Sequence, residues 1–117
     1  MRSVDGKFAP VAYDLSTMNL HLVGRLVQEI ANRKVLVAVY KGQGSMLVCY
    51  TFLGSEEDAP AIAEIFFDAE KKMNFYQFFH AQTNAIMHRE GRVMCILVSQ
   101  MPMDQLLDIA RSKAHVS

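Results

Sequence analysis

The sequence predicts an α+β fold: a small antiparallel sheet of about five or six strands, one covering C-terminal helix, and room for a short middle helix. Three observations carry that expectation. Val35-Leu36-Val37-Ala38-Val39-Tyr40 and residues 46–53 are apolar, β-rich runs on either side of Lys41-Gly42-Gln43-Gly44-Ser45, a glycine-bearing hairpin turn. Val93-Met94-Cys95-Ile96-Leu97-Val98 is another such run, entered through the polar turn His88-Arg89-Glu90-Gly91-Arg92. Pro102 then opens a segment in which Met103, Leu106, Leu107 and Ala110 fall at i, i+3, i+4 and i+7, the spacing of one helical face.

Taken in chain order, residues 1–19 read as an irregular N-terminal arm, with Pro10 and Asp14-Leu15-Ser16-Thr17 favouring extended chain. Residues 20–117 read as a single α+β domain. Residues 20–30 fit two patterns. Leu20, Val23, Val27 and Ile30 suit a helix, whereas Leu20, Leu22, Leu26 and Ile30 share one face of a strand bent at Gly24. Asn32-Arg33-Lys34 marks a turn into the first hairpin. After that hairpin, Gly54-Ser55-Glu56-Glu57-Asp58-Ala59-Pro60 is a polar loop. Asp58 is placed to cap a short helix beginning near Pro60, with Ile62, Ile65, Phe66 and Ala69 on one face. Lys71-Lys72 interrupts the run. Residues 75–80 are dense in aromatics, which favours strand, and residues 84–88 feed the turn at Gly91. One long helix over residues 60–88 is the competing pattern. No internal repeat or linker divides the chain.

Composition bounds the function. A chain of 117 residues with 51% hydrophobic content has the size and apolar share of one globular domain. Lys+Arg and Asp+Glu both total 12, so the chain has no basic excess with which to neutralise phosphates. Nucleic acid and anionic membrane surfaces are therefore poor partners. No apolar run approaches the roughly 18 residues of a spanning helix, and Met1-Arg2-Ser3-Val4-Asp5-Gly6-Lys7 lacks the apolar core of a signal peptide. The sequence as it stands reads as soluble.

Candidate chemistry is sparse. Cys49 and Cys95 each sit inside an apolar run, the usual setting of a small buried residue; a single bridge requires their strands to be neighbours. His21, His80, His88 and His115 make no HxxxH or HExxH pair, and no CxxC occurs, so no metal site is expected. Met94, Met101 and Met103 lie near Cys95, a set of soft ligands suited to Cu(I), although Met more often fills cores and contact surfaces. There is no GxSxG elbow and no Ser, His and acid set in a motif, so no catalytic residue is assigned and the chain is not read as an enzyme. Glu56-Glu57-Asp58 reads as a solvated acidic loop. Gly42 and Gly44 suit a hairpin turn better than a phosphate cradle, which needs a helix to follow. The aromatic stretch offers the best contact surface: Phe75, Tyr76, Phe78 and Phe79, with His80 and His88 nearby, are the candidate binding residues, and core packing is the competing role.

Several segments match a known pattern in order. Tyr13-Asp14-Leu15-Ser16 followed by Leu20-His21-Leu22-Val23-Gly24-Arg25-Leu26-Val27 matches a lead-in and a Gly-containing first strand. Arg33-Lys34-Val35-Leu36-Val37-Ala38-Val39-Tyr40-Lys41 matches a second strand ending in a Val-Tyr pair before a Gly turn, and residues 46–52 match a third. Asn84-Ala85-Ile86-Met87-His88-Arg89-Glu90-Gly91 matches the strand entering the last hairpin. Val98-Ser99-Gln100-Met101-Pro102 and Leu106-Leu107-Asp108-Ile109-Ala110 match a closing strand and helix. From Tyr13 to Ala110, the chain thus resembles the extracytoplasmic C-terminal domain of membrane-anchored, zinc-finger-type bacterial anti-sigma factors. The resemblance implies strand for residues 20–30 and 75–88. It also implies a non-enzymatic sensor or partner-binding domain of a transcription regulator, without cofactor. Its location would be periplasmic or otherwise extracytoplasmic as part of a longer membrane-anchored protein, touching the membrane only through segments outside this chain. Its partner would be another protein, a second copy or a small signal molecule. The family's zinc-binding His and Cys set and its membrane span have no counterpart in these residues, and His88 stands where an aromatic is common. Three rival readings are a redox or copper-responsive sensor using the Cys and Met residues, a small enzyme with a pocket at His80 and His88, and a cytosolic protein-interaction module with residues 20–30 and 60–88 helical.

Overall fold

A computed structural model describes residues 20–42 and 44–113. The expected N-terminal arm, residues 1–19, lies outside the described residues. Seven antiparallel strands form one sheet: β1 (His21–Ile30), β2 (Arg33–Gly42), β3 (Ser45–Leu53), β4 (Glu64–Asp68), β5 (Met73–His80), β6 (Thr83–Glu90) and β7 (Val93–Ser99). A single α-helix among the described residues, α1 (Met103–Lys113), follows the sheet. The strand order is β1-β2-β3-β7-β6-β5-β4. Two meanders therefore meet at one ladder, β3 against β7, and residues 54–63 carry the chain from the centre of the sheet to its far edge.

The α+β class and the covering C-terminal helix are as the sequence predicts, with seven strands in place of five or six. The added strand is β4, where a short helix was expected, and two of the hairpin turns form without glycine. Ala31 and Asn32 between β1 and β2, and Ala81 and Gln82 between β5 and β6, all have positive φ, from 50° to 67°. Positive φ at both central residues is the signature of the type I′ hairpin, whose twist matches the strands it joins. Of residues 20–30, His21–Ile30 are strand, with one register shift between Leu22 and Gly24 where the bend was expected.

The middle segment corrects two expectations. No helix starts near Pro60: Ile65 and Phe66 lie in β4 and pair with Tyr76 and Phe75 of β5. Cross-strand pairing of large apolar side chains outweighs the weak helical spacing. Asp58 caps no such helix either. Ser55 caps a single 3₁₀ turn, Glu56–Asp58, its Oγ accepting from the Glu57 N–H, while Asp58 Oδ2 accepts from the Ser55 N–H. The long helix over residues 60–88 does not form, since that span holds β4, β5 and most of β6.

The main core lies between one sheet face and α1. Ala38, Tyr40, Leu47, Cys49, Phe75, Ile86, Cys95 and Leu97 point from the sheet to Leu106, Ile109 and Ala110 of the helix, and all are buried. Burial of each such aliphatic side chain is worth about 1.5–3 kcal/mol, which is why the amphipathic spacing of residues 103–110 decides where the helix lies. A polar anchor fixes its far end. Asp68 Oδ2 accepts from Arg111 Nε at 2.8 Å, and the Arg111 guanidinium sits 5.2 Å from the Phe66 ring centroid. The other carboxylate oxygen of Asp68 accepts from the Glu70 and Lys71 N–H groups, closing the β4–β5 turn.

Candidate functional site

The opposite face of the sheet has no helix on it among the described residues, yet its residues are apolar. Register aligns them in three rows. The first runs Val39, Val48, Val98, Ala85 and Phe78; the second runs Leu26, Val37, Tyr50, Ile96, Met87, Tyr76 and Ile65. The third runs Val35, Phe52, Met94 and Arg89. A face packed against water on an antiparallel sheet ordinarily alternates to polar residues. Here β2, β3 and β7 are apolar on both faces, so the second face is built to be covered.

Among the described residues, the crossover at residues 54–63 covers one end of it. Tyr76 donates its hydroxyl hydrogen to Glu56 Oε1, and Arg89 Nε lies 3.5 Å from Glu56 Oε2. Arg33 grips Asp58 through two contacts of 3.2 Å and stacks 5.1 Å from the Phe52 ring centroid. Gly54 permits this approach, because a Cβ there would stand 2.5 Å from Asp58 Oδ2 and 2.8 Å from the Phe52 ring. Val35, Phe52 and Met94 are consequently buried under the strap. Val39, Val48, Tyr50, Tyr76, Phe78 and Ile96 stay half-buried beyond it, around the buried Val37, Ala85 and Met87. Beside the strap, Ile30, Val35, Tyr50, Phe52 and Ile96, with Arg33 at the rim, line a shallow cavity of about 350 Å³.

The electrostatics belong to the strap and the helix anchor. Burial raises the Tyr76 hydroxyl above its ordinary pKa of 10.0, and the Glu56 carboxylate adds to that rise. The Ser55 N–H and then the Arg33 guanidinium hold Asp58 below the ordinary 3.8. The Lys71 N–H, then Arg111, do the same for Asp68. These are structural pairings, and none presents a reactive group to the open face.

The expected binding residues divide between the two faces. Phe75 and His88 are fully buried on the helix side, their rings 5.4 Å apart and tilted, so neither contributes to an exposed surface. Tyr76 and Phe78 are half-buried on the open face. Phe79, 77% exposed, and the exposed His80 end β5. The structure thus brings together Tyr76 and Phe78 from the expected set and keeps His80 and His88 apart. His88 Nδ1 lies 3.4 Å from the Arg89 carbonyl oxygen and 4.0 Å from Glu90 Oε2, while Nε2 makes no hydrogen bond among the described residues. Of the sulfur side chains, Cys49, Cys95 and Met101 belong to the helix-side core and Met103 packs against it, while Met94 lies on the opposite face. Sequence reasoning missed Val39, Val48, Tyr50 and Ile96 as surface residues. The available signal was the unbroken apolar character of β2, β3 and β7 where alternation would mark a solvated face.

Among the described residues, no group of three or more His, Cys, Asp and Glu side chains could hold a metal ion, and no helix is long and apolar enough to cross a membrane. In comparisons with known proteins, the chain matches no family model, no curated protein and no solved structure.

Proposed function

We propose that this chain is a non-enzymatic regulatory domain, the extracytoplasmic sensor or partner-binding part of an anti-sigma-factor-like transcription regulator. The observation that carries the binding role is the second sheet face, where Val39, Val48, Tyr50, Ile96, Tyr76 and Phe78 stay half-buried around the buried Val37, Ala85 and Met87. Partly exposed apolar side chains grouped on one face are where a protein partner gains affinity by excluding water. The occupant that fits is an extended, apolar segment of a partner protein. β1 is the outermost of the described strands on its side, ten residues long, with Leu22, Val23, Leu26 and Ile30 exposed. A segment added along β1 would lay alternate side chains toward Leu26 and the cavity beside Ile30. The resemblance over residues 13–110 supplies the regulatory context. Signal transfer is then a population shift between bound and unbound states of the domain.

Two experiments test the reading. Tyr50→Lys with Ile96→Lys, placed in the gene in its host, puts charge on the open face without touching the helix-side core. The expected result is altered transcription of one sigma-factor regulon, read by RNA sequencing; an unchanged transcript profile with normal protein levels rejects the regulatory role. Alkaline phosphatase fused to the C-terminus of the full gene product reports location. Activity is expected, because the enzyme matures outside the cytoplasm, and an inactive but intact fusion rejects the extracytoplasmic assignment.

A further inference from the structure

Among the described residues, the β3–β7 ladder joins the two meanders and holds the two cysteines side by side. Cys49 lies opposite Leu97, and Cys95 lies opposite Thr51, so the cysteines are diagonal neighbours on the helix-side face of β3 and β7. Both are buried, and their sulfurs are 2.8 Å apart. Ordinary non-bonded contacts between carbon atoms, which are smaller, settle at about 3.5–4.0 Å. The side chains already point at each other across a fixed register, which removes the usual obstacle to a bridge, misdirected Cβ vectors.

We propose that Cys49 and Cys95 are a disulfide site, and that a small-molecule disulfide is the oxidant they take. The thiolate of one cysteine attacks a sulfur of the oxidant and expels one small thiolate, leaving a mixed disulfide. The second protein thiolate attacks that protein sulfur and expels the other small thiolate. Two protein thiols and one disulfide become one protein disulfide and two thiols, with two electrons and two hydrogens passed to the oxidant. Because α1 and the sheet bury both sulfurs, the exchange belongs to folding, before the helix docks, or to transient opening of that core. The bridge closes a separation of 46 residues and ties the N-terminal meander to the C-terminal one at the centre of the sheet. Loop closure of that length stabilises chiefly by restricting the unfolded chain. The inference goes beyond the proposed regulatory role, and the bridge persists where the surroundings are oxidising, as they are outside the cytoplasm.

Refolding the full chain from urea with oxidised glutathione, then counting thiols and weighing the denatured protein, tests it. Expected are loss of both thiols, a mass lower by two hydrogens, reversal by dithiothreitol, and a melting temperature raised by on the order of 10 °C. Oxidation held in denaturing urea should be far slower, since there the register no longer aligns the sulfurs. Cys49→Ser and Cys95→Ser should each give a glutathione adduct and no internal bridge, a readout that does not require the variants to fold. Two thiols surviving refolding, adducts or intermolecular dimers alone from the unsubstituted chain, or equal rates in denaturant and buffer would each overturn the assignment.

Discussion

Gly54 shows how one position controls an element. It is not a turn glycine; it is required by proximity, since any Cβ would collide with Asp58 and Phe52. Gly54→Ala should therefore destabilise the protein by about 1–3 kcal/mol, the cost of forcing atoms into a filled space. Gly24→Ala, where nothing stands within 4 Å of the added methyl, should be neutral or slightly stabilising. Urea unfolding midpoints of the two variants decide the point, and equal effects would contradict it. Asp68 makes a second residue-scale prediction. Its folded pKa lies below the ordinary 3.8, so its contribution is present above about pH 4 and is lost as pH falls through the folded value. The stability difference between the protein and Asp68→Asn should be full at neutral pH and shrink below pH 4, as followed by urea midpoints across that range.

At the scale of elements, α1 is held by a few residues on one face. Leu106 is fully buried at the centre of that face. Leu106→Ala should cost about 2–5 kcal/mol, the range for a deeply buried leucine, and should expose the helix-side core to hydrogen exchange. β1 behaves in the opposite way. Leu26 is 50% exposed and touches the sheet mainly through backbone pairing with β2. Leu26→Lys should leave the unfolding free energy within about 0.5 kcal/mol of the original while weakening any partner that adds along this strand. A large loss of stability in Leu26→Lys would show that β1 is part of the core and not a docking edge. The strap sits between these extremes, since Arg33, Tyr76 and Arg89 hold it at the surface through Asp58 and Glu56.

The whole molecule is two meanders fused along β3 and β7, and the pairing of these strands spans 46 residues at the cysteines. Non-local ladders must meet the loop-closure cost before they gain stability, so folding should take milliseconds to seconds, within the range for sheet-rich domains of this size. Stopped-flow refolding of the reduced protein measures it, and a microsecond phase carrying the full amplitude would mean that the central ladder forms early. The same architecture leaves two faces with different fates. One is sealed by α1, and the other is crossed, among the described residues, by residues 54–63 at one end.

The local patterns were legible because they are set by near neighbours. β2, β3 and β7 follow from β-branched runs, the turns at Gly44 and Gly91 from residues that tolerate positive φ, and α1 from the 3-4 spacing of Met103, Leu106, Leu107 and Ala110. Residues 20–30 and 60–88 were not decided locally, because their apolar positions satisfy two periods and their turns, at Ala31-Asn32 and Ala81-Gln82, carry little or no glycine signal. Only the tertiary structure chose strand for them, by giving each a partner whose backbone groups and side chains it could satisfy. The site followed the same division. The aromatic stretch was visible as Phe75, Tyr76, Phe78 and Phe79, but alternate residues of a strand face opposite ways, so the stretch could not be one surface. Which face the helix would seal, and which rows would stay open, depends on where residues 103–113 and 54–63 come to rest, and contacts between segments distant in the chain set that.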